Sequence, residues 1–481
     1  MPPTQGDRRY RVAGPAGAFA RIGVEAVAIV AIVAIVGSVS NGTPPNLIVI
    51  LTDDQGYADV GFNGCKDIPT PKIDRIAREG VRCTSGYVTH SVCGPSRAAL
   101  ITGRYQCRFG ASRNPTVDPT VPNNGVPREQ KNLAELLAPR GYRSMAIGKW
   151  HLGTHPDLRP LVRGFDEFFG FLSGGHNYFA HQLTLNDLSE VDRPWAWYRT
   201  KLLRGEKRVE IDDYLTDELS DAAVDFIDRS HEQPFFLYLA YNAPHSPLQA
   251  TDEYLSRFAS IEDKDRRTYA AMVSAVDDGV GRVLDAVTRH ALDEQTLIFF
   301  LSDNGGPPSN ASSNAPLRGH KSSPFEGGVR VPFAVRWIGT LPKGHDYDHA
   351  VSSLDIAATM VAHADVEVPT DRPLDGVDLV PYLTGEEATK PHPVLFWRWY
   401  DSHRLAARID DDKFILLPPE DRYASDGPRL LYDLGSDIGE RQNLATTRPA
   451  VFDHAKQQAL QWNRELVPPA YPGLGTWMPG Q

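Results

Sequence analysis

The chain has 481 residues, 41% of them hydrophobic, with 50 basic against 61 acidic side chains and a formal charge of -11. That length supports one large domain with a smaller one beside it, and an acidic balance without any run of Lys or Arg argues against a nucleic-acid partner. Its cysteines, Cys65, Cys83, Cys93 and Cys107, all fall in one short region. If Cys93 is functional they allow at most one internal disulfide, with the pairing open.

The N-terminus carries Arg8, Arg9, Arg11 and Arg21, then the apolar stretch Ala26 to Val36 and the small residues Gly37, Ser38 and Ser40. This pattern predicts a signal peptide over residues 1–40, cleaved near Ser40, with export to the periplasm or the extracellular space. The alternative is an uncleaved membrane anchor, although the apolar stretch is short for a span.

Asn46 to Thr52 is a continuous apolar run ending in Asp53-Asp54, the pattern of a strand buried on both faces. A helix is expected next, with Thr70 as N-cap, Pro71 in its first turn and Gly80 closing it. Cys93-Gly94-Pro95-Ser96-Arg97 precedes the apolar run Ala98 to Ile101, which Gly103 can terminate. Cys93 is thereby placed at or just before a helix N-terminus, whose free N–H groups and dipole suit an anion. The alternation continues with an amphipathic segment at Leu133, Leu136 and Leu137 and a strand Ser144 to Ile147 running into Lys149 and His151. A helix from Thr216 leads to the strand Phe235 to Ala240 and His245. A long helical pattern from Met272 to Leu284 then precedes the strand Leu297 to Leu301 and Asp303-Asn304.

Strands alternating with helices predict an α/β fold, a large mostly parallel sheet flanked by helices, over residues 44–385. Beyond residue 385, strands at Val394 to Tyr400, Arg404 to Ile409 and Lys413 to Leu417, followed by the segment Leu430 to Leu434 and a helix-like segment from Pro449 to Leu466, predict a small antiparallel sheet plus helix over 386–481. In open α/β sheets ligands bind at the carboxyl ends of strands. Four such ends carry Asp53-Asp54, Lys149 with His151, His245, and Asp303-Asn304.

Carboxylate and amide oxygens suit a hard divalent cation such as calcium or magnesium, whereas a thiolate suits softer metals. Either Cys93 is not a ligand or it does not remain a cysteine. Arg97, Lys149 and Lys321, with His151 and His245, add local positive charge against the global trend, which suggests a small anionic group as substrate. The stretch Gly305 to Ser323, which carries Lys321, is expected to border the site.

These motifs resemble the type I, formylglycine-dependent sulfatases, and most closely their arylsulfatase and hexosamine-sulfatase members. The resemblance spans nearly the whole chain after the leader. It is carried by Cys93-Gly94-Pro95-Ser96-Arg97 with Thr102-Gly103-Arg104, Asp53-Asp54-Gln55-Gly56-Tyr57, Gly148-Lys149-Trp150-His151-Leu152-Gly153, Pro244-His245, the segments Pro316 to Lys321 and Phe325 to Pro332, and Leu431-Tyr432-Asp433-Leu434. It implies an alkaline-phosphatase-like fold and hydrolysis of a carbohydrate or aryl sulfate ester. Cys93, oxidised to formylglycine by a formylglycine-generating enzyme, would as its hydrate attack sulfur and form a covalent sulfated enzyme. Calcium would be held by Asp53, Asp54, residue 93, Asp303 and Asn304. By matching position, Arg97 would hold the hydrate, Lys149 and Lys321 would bind sulfate oxygens, His151 would assist elimination, and His245 would protonate the leaving alcohol.

His176, in the loop Gly170 to Phe179, could touch the leaving group or be a structural histidine. Trp195 and Trp197 could stack on a sugar or cover the core. A phosphate or phosphonate hydrolase and a secreted, non-catalytic binder of sulfated glycans are the competing readings. Asn41-Gly42-Thr43 and Asn310-Ala311-Ser312 match the glycosylation acceptor pattern. No stable membrane insertion is expected of the exported chain.

Overall fold

The apolar run Asn46–Thr52 forms a strand buried along its whole length. Its side chains alternate between two cores, Leu47, Val49 and Leu51 on one face and Ile48 and Ile50 on the other, as the two-residue period of a strand requires. The computed structural model describes residues 44–476. The leader 1–40, with its signal or anchor alternatives, and the acceptor pattern at Asn41 lie outside them.

Asn46–Thr52 pairs in parallel with Thr296–Ser302 on one side and Phe235–Ala240 on the other. Arg143–Lys149 and Glu167–Phe171 extend the parallel set. Phe333–Arg336 and Leu202–Arg204 then add antiparallel neighbours at its two sides. The mostly parallel sheet expected from sequence is therefore a mixed, ten-stranded one with the parallel strands at its centre. The helices Leu215–Ser230 and Lys264–Arg289 cover one face, and Cys93–Thr102 and Leu354–His363 the other.

One helix starts later than its sequence signals suggest. The segment after Thr70 becomes helical only at Ile73, and the Lys72 and Ile73 N–H groups donate to the Asp277 carboxylate of the long helix at 3.0 and 2.8 Å. Asp277 does the capping, and Thr70 instead uses its hydroxyl on Gly61 N–H and Asp74. A cap delivered from a residue two hundred positions away leaves no local signal.

Val394–Trp399, Arg404–Ile409, Asp412–Leu416 and Arg429–Asp433 form the small antiparallel sheet. Leu405, Ala407, Phe414 and Leu431 on one face pack against Phe452, Ala455 and Ala459 of the helix Pro449–Asn463. Leu395, Trp397, Ile415 and Leu430 on the other pack with Tyr87, Phe325 and Val329 of the large-sheet region, and the described residues belong to one compact unit. Among the described residues no helix is long and apolar enough to cross a membrane.

Charge is buried where the two sheets meet. Lys413 Nζ lies 2.8 Å from Glu326 Oε1 with both side chains fully inaccessible, and the Glu326 N–H donates to Glu440 at 2.8 Å. Burial works to raise the Glu326 carboxyl, but Lys413, Arg330 and Arg408 outweigh it and hold it well below the usual range. A buried ion pair contributes little net stability, yet removing one partner strands the other. Lys413→Met is therefore expected to cost about 3–5 kcal/mol, measured by urea unfolding; a loss below about 1 kcal/mol would mean that the pair is not desolvated in solution.

Candidate active site

Cys93 is the first residue of the helix Cys93–Thr102, entered from the extended Val92 and closed by Gly103 in the left-handed region at φ 65°. Neither end has a side-chain cap of its own; the Gly94 N–H instead donates to Asn114 Oδ1 at 2.8 Å. The Cys93 side chain is buried at 2% exposure. Its Sγ stands 3.3 Å from Lys321 Nζ and 3.7 Å from Asp53 Oδ1. Burial, only partly offset by Lys149 and Lys321, pushes its thiol up to about 12. As an unmodified cysteine it stays a neutral thiol, and the nucleophile and metal ligand is the thiolate.

The four strand ends deliver their polar residues to this helix end. Lys149 Nζ donates to Asp53 Oδ2 at 2.6 Å, with both side chains fully buried. Burial acts to raise Asp53, but Lys149, His245, Arg97 and Lys321 prevail and hold it well below the usual carboxylate range. Arg97 donates through Nε to Asp303 Oδ2 at 2.8 Å and through Nη1 to the Lys149 carbonyl at 3.1 Å. Lys321 Nζ reaches both oxygens of Asp54 at 2.6 and 2.7 Å. Asn304 Nδ2 donates to Asp54 Oδ1 at 2.7 Å. Three carboxylates thus face three cations, Asp53, Asp54 and Asp303 against Lys149, Lys321 and Arg97.

The two histidines take different positions. His151 is buried at a backbone φ of 56°, and neither ring nitrogen has a hydrogen-bond partner. Its ring lies against Gly174, where an added Cβ would come within 2.8 Å of Cε1 and Nε2. Burial, then Lys149 and Arg97, press it well below its ordinary pKa, so the ring is neutral. His245 Nδ1 lies 2.6 Å from the Ser246 carbonyl, which can only accept, so Nδ1 carries the hydrogen. Nε2 points toward the cavity, 3.5 Å from Asp54 Oδ2. Burial lowers the His245 pKa against the pull of Asp53 and Asp54.

Oxygen donors of this kind fit a hard divalent cation. Asp53, Asp54, Cys93 and His245 bring ligand atoms within 4.8 Å of one another, and Asn304 Oδ1 is buried beside them without a hydrogen-bond partner. Asp303 stands behind this group, its oxygens engaged by Arg97 and by the Asp54 N–H at 3.3 Å. The site opens into a cavity of about 690 Å³ whose lining includes Asp54, Cys93, His151, His245, Lys321 and Tyr198.

Two sequence expectations change. His176 does not line the cavity: its ring is fully buried, stacked on Phe171 at 4.7 Å, with its nitrogens on the Asn177 and Thr200 carbonyls at 2.9 and 2.7 Å. It is a structural histidine of the loop. Asn310 is no glycosylation acceptor in the folded chain, because its buried amide donates to the Asp54 and Pro244 carbonyls. The four cysteines are all free thiols, which lies within the bound of at most one disulfide set by their number. Asn114 and Tyr198 were missed as wall residues; one lies in a loop and the other in the short 3-10 helix Ala196–Arg199, and the role of each comes from tertiary placement alone.

Comparisons with known proteins agree with this geometry. The Sulfatase family model matches residues 45–366, and the model for N-sulphoglucosamine sulphohydrolase, C-terminal, matches residues 320–462. The chain is 32% identical to uncharacterized sulfatase YdeN of Escherichia coli (strain K12), over 88% of this chain and 86% of that one. It is 32% identical to the N-acetylgalactosamine-6-sulfatase of Homo sapiens, over 90% and 88%. The crystal structure of Ps i-CgsB in complex with k-i-k-neocarrahexaose superposes with a TM-score of 0.82 at 39% identity, covering 89% of this chain and 95% of that one. A thiol-bearing helix end, ringed by buried carboxylates and cations at the ends of parallel strands, and these matches over most of the chain lead to one conclusion: the protein belongs to the sulfatase family and is a sulfuric ester hydrolase.

Proposed function

We propose that this sulfatase hydrolyses sulfate esters of carbohydrates, with residue 93 working as formylglycine beside a calcium ion held by Asp53, Asp54 and Asn304, backed by Asp303. The observation that carries the proposal is the setting of Cys93: a buried, neutral thiol among hard oxygen donors, 3.3 Å from an ammonium. Such a thiol is neither a competent nucleophile nor a suitable calcium ligand, whereas oxygens at the same carbon suit both roles. When bound, calcium supplies Lewis-acid charge toward the sulfuryl oxygens. Burial of residue 93 means that a formylglycine-generating enzyme has to reach it before the chain closes. The basic, apolar leader supports export as the compartment of action.

The chain's own residues do the rest. The three carboxylates and three cations balance, so the positive surplus that an anionic sulfate needs would come from the divalent cation, with Lys321 at the cavity wall and Lys149 behind it directing their ammonium groups toward the same point. Arg97 fixes Asp303 and the Lys149 carbonyl, locking the backbone that leads to His151. His151, neutral and unpartnered, is free to accept a proton from the oxygen of residue 93. His245, its Nδ1 hydrogen committed to Ser246, presents Nε2 to the leaving oxygen; burial lowers its pKa overall, and Asp53 and Asp54 offset part of that loss of the protonated form. A carbohydrate ester is favoured because a relative named for N-acetylgalactosamine 6-sulfate and one solved with a neocarrahexaose are both similar along most of their length.

Turnover of 4-nitrophenyl sulfate against 4-nitrophenyl phosphate tests the reaction class. The sulfate is expected to be the better substrate by at least about tenfold in kcat/KM; dominant phosphate hydrolysis would sink the assignment of the anion.

The role of His245 has its own signature. Protonation matters in proportion to the basicity of the leaving oxygen, so His245→Ala should lower turnover of a sugar sulfate by about 10²–10⁴ and that of 4-nitrophenyl sulfate far less. Equal losses on both would remove His245 as the acid.

A further inference from the structure

A second cavity of about 640 Å³ adjoins the first. The two meet along a shared wall that includes Asn114, Trp195 and Leu474. Trp195 is held with a left-handed backbone, φ 68°, and its side chain is 61% exposed. A large apolar ring in a sterically disfavoured backbone, facing water, is a costly arrangement to keep for packing alone. Its ring stands 5.8 Å from that of Tyr198, which in turn is 6.4 Å from His245. A run of aromatic faces therefore leads out of the catalytic cavity and into the second one, where Trp399 and Tyr400 continue it.

The electrostatics of the two cavities differ. The charged groups on the second wall are Arg113 and Asp401, and they neutralise each other: Arg113 Nε donates to Asp401 at 2.9 Å and Nη2 engages the same carboxylate. The Arg113 guanidinium also lies over the Tyr400 ring, 5.9 Å from its centre. His90, buried with its ring tilted against that of Trp399 at 5.6 Å, is held neutral by that burial, and its Nδ1 has no hydrogen-bond partner. Among the described residues the lining thus offers aromatic faces, a polar fringe and no cation without a carboxylate partner. The catalytic cavity, by contrast, carries Lys321, paired with Asp54, and Arg199, whose guanidinium bonds the Thr184 hydroxyl and has no carboxylate partner among the described residues.

We infer that the second cavity is a subsite for the sugar unit next to the sulfated one, and that it selects a neutral unit. The inference rests on the carbohydrate reading of the active site and goes beyond it, to the length and charge pattern of the substrate. Aromatic rings stack on the apolar face of a pyranose, and each cavity alone has the size of a small-ligand site, about 300–1,000 Å³. A second sulfate or a carboxylate placed there would lose its water beside Asp401 without gaining a free cation.

The test starts from whichever monosulfate of galactose, N-acetylgalactosamine or glucosamine the enzyme turns over fastest. kcat/KM is compared for that monosaccharide, for a tetrasaccharide of otherwise neutral sugars carrying the same unit, and for that tetrasaccharide with a second sulfate on the adjoining sugar. The neutral tetrasaccharide is expected to exceed each of the others by about tenfold, the scale of one good aromatic contact. Tyr400→Ala, whose ring lines only the second cavity, should remove most of that advantage while 4-nitrophenyl sulfate turnover stays within about twofold. Asp401→Asn, which leaves Arg113 uncompensated, should reduce the discrimination against the second sulfate. Equal kcat/KM for the monosaccharide and the neutral tetrasaccharide, a wild-type preference for the doubly sulfated chain, or a parallel loss on 4-nitrophenyl sulfate in Tyr400→Ala would each overturn the subsite. Loss of the catalytic reading shows itself differently, as no turnover of any sulfate ester by the wild-type enzyme.

Discussion

Lys149 and Asp53 meet at 2.6 Å with no exposure of either side chain, and Arg97 and Asp303 do the same at 2.8 Å. Taking these charges out of water costs several kcal/mol each, and losing one partner of such a pair costs about 3–5 kcal/mol. The arrangement persists only if every partner arrives at one point at once. Parallel strands meet that demand, since their carboxyl ends all open on the same edge. Asn46–Thr52, Phe235–Ala240, Arg143–Lys149 and Thr296–Ser302 are adjacent in the sheet, so Asp53, His245, Lys149 and Asp303 become neighbours without any local sequence relation.

The helix end carrying Cys93 and the loop carrying Lys321 approach that edge, and both are held from the side of the small sheet. The Ser322 N–H donates to the Ser91 carbonyl at 2.8 Å, tying the Lys321 loop to the residues just before Cys93. Trp399 Nε1 donates to Ser91 Oγ at 2.8 Å and Arg404 reaches the Ser322 carbonyl at 3.3 Å. Arg318 extends to Tyr432 and to the Glu440 carbonyl at 3.0 and 2.9 Å. The C-terminal sheet is therefore part of the positioning apparatus, and the buried Glu326–Lys413 pair is its anchor.

Much of this was legible in the sequence, for a physical reason. Strands buried on both faces read as unbroken apolar runs, so Asn46–Thr52, Phe235–Ala240 and Thr296–Ser302 announce themselves together with the polar residues that end them. Glu167–Phe171 escaped because its short run is interrupted by Gly170, and the antiparallel flanks because their strands are brief. Thr70 looked like a cap until Asp277 took the two N–H groups from a distant helix. His176 and Asn310 were misplaced because burial decides their roles, and burial is set by what folds over them. Of the second cavity only Trp195 and Trp197 stood out in the sequence, as rings that could stack on a sugar or cover the core; His90, Arg113 and Tyr400 come from separate loops and a strand end and carry no motif.

The central claim is that residue 93 functions as something other than a cysteine. Peptide mass spectrometry across residue 93, on protein produced with a formylglycine-generating enzyme and shown to hydrolyse a sulfate ester, tests it most directly. The peptide is predicted to carry the mass of the aldehyde or its hydrate, in a fraction that rises and falls with specific activity between preparations. A fully active preparation in which residue 93 is found only as the thiol would contradict the account.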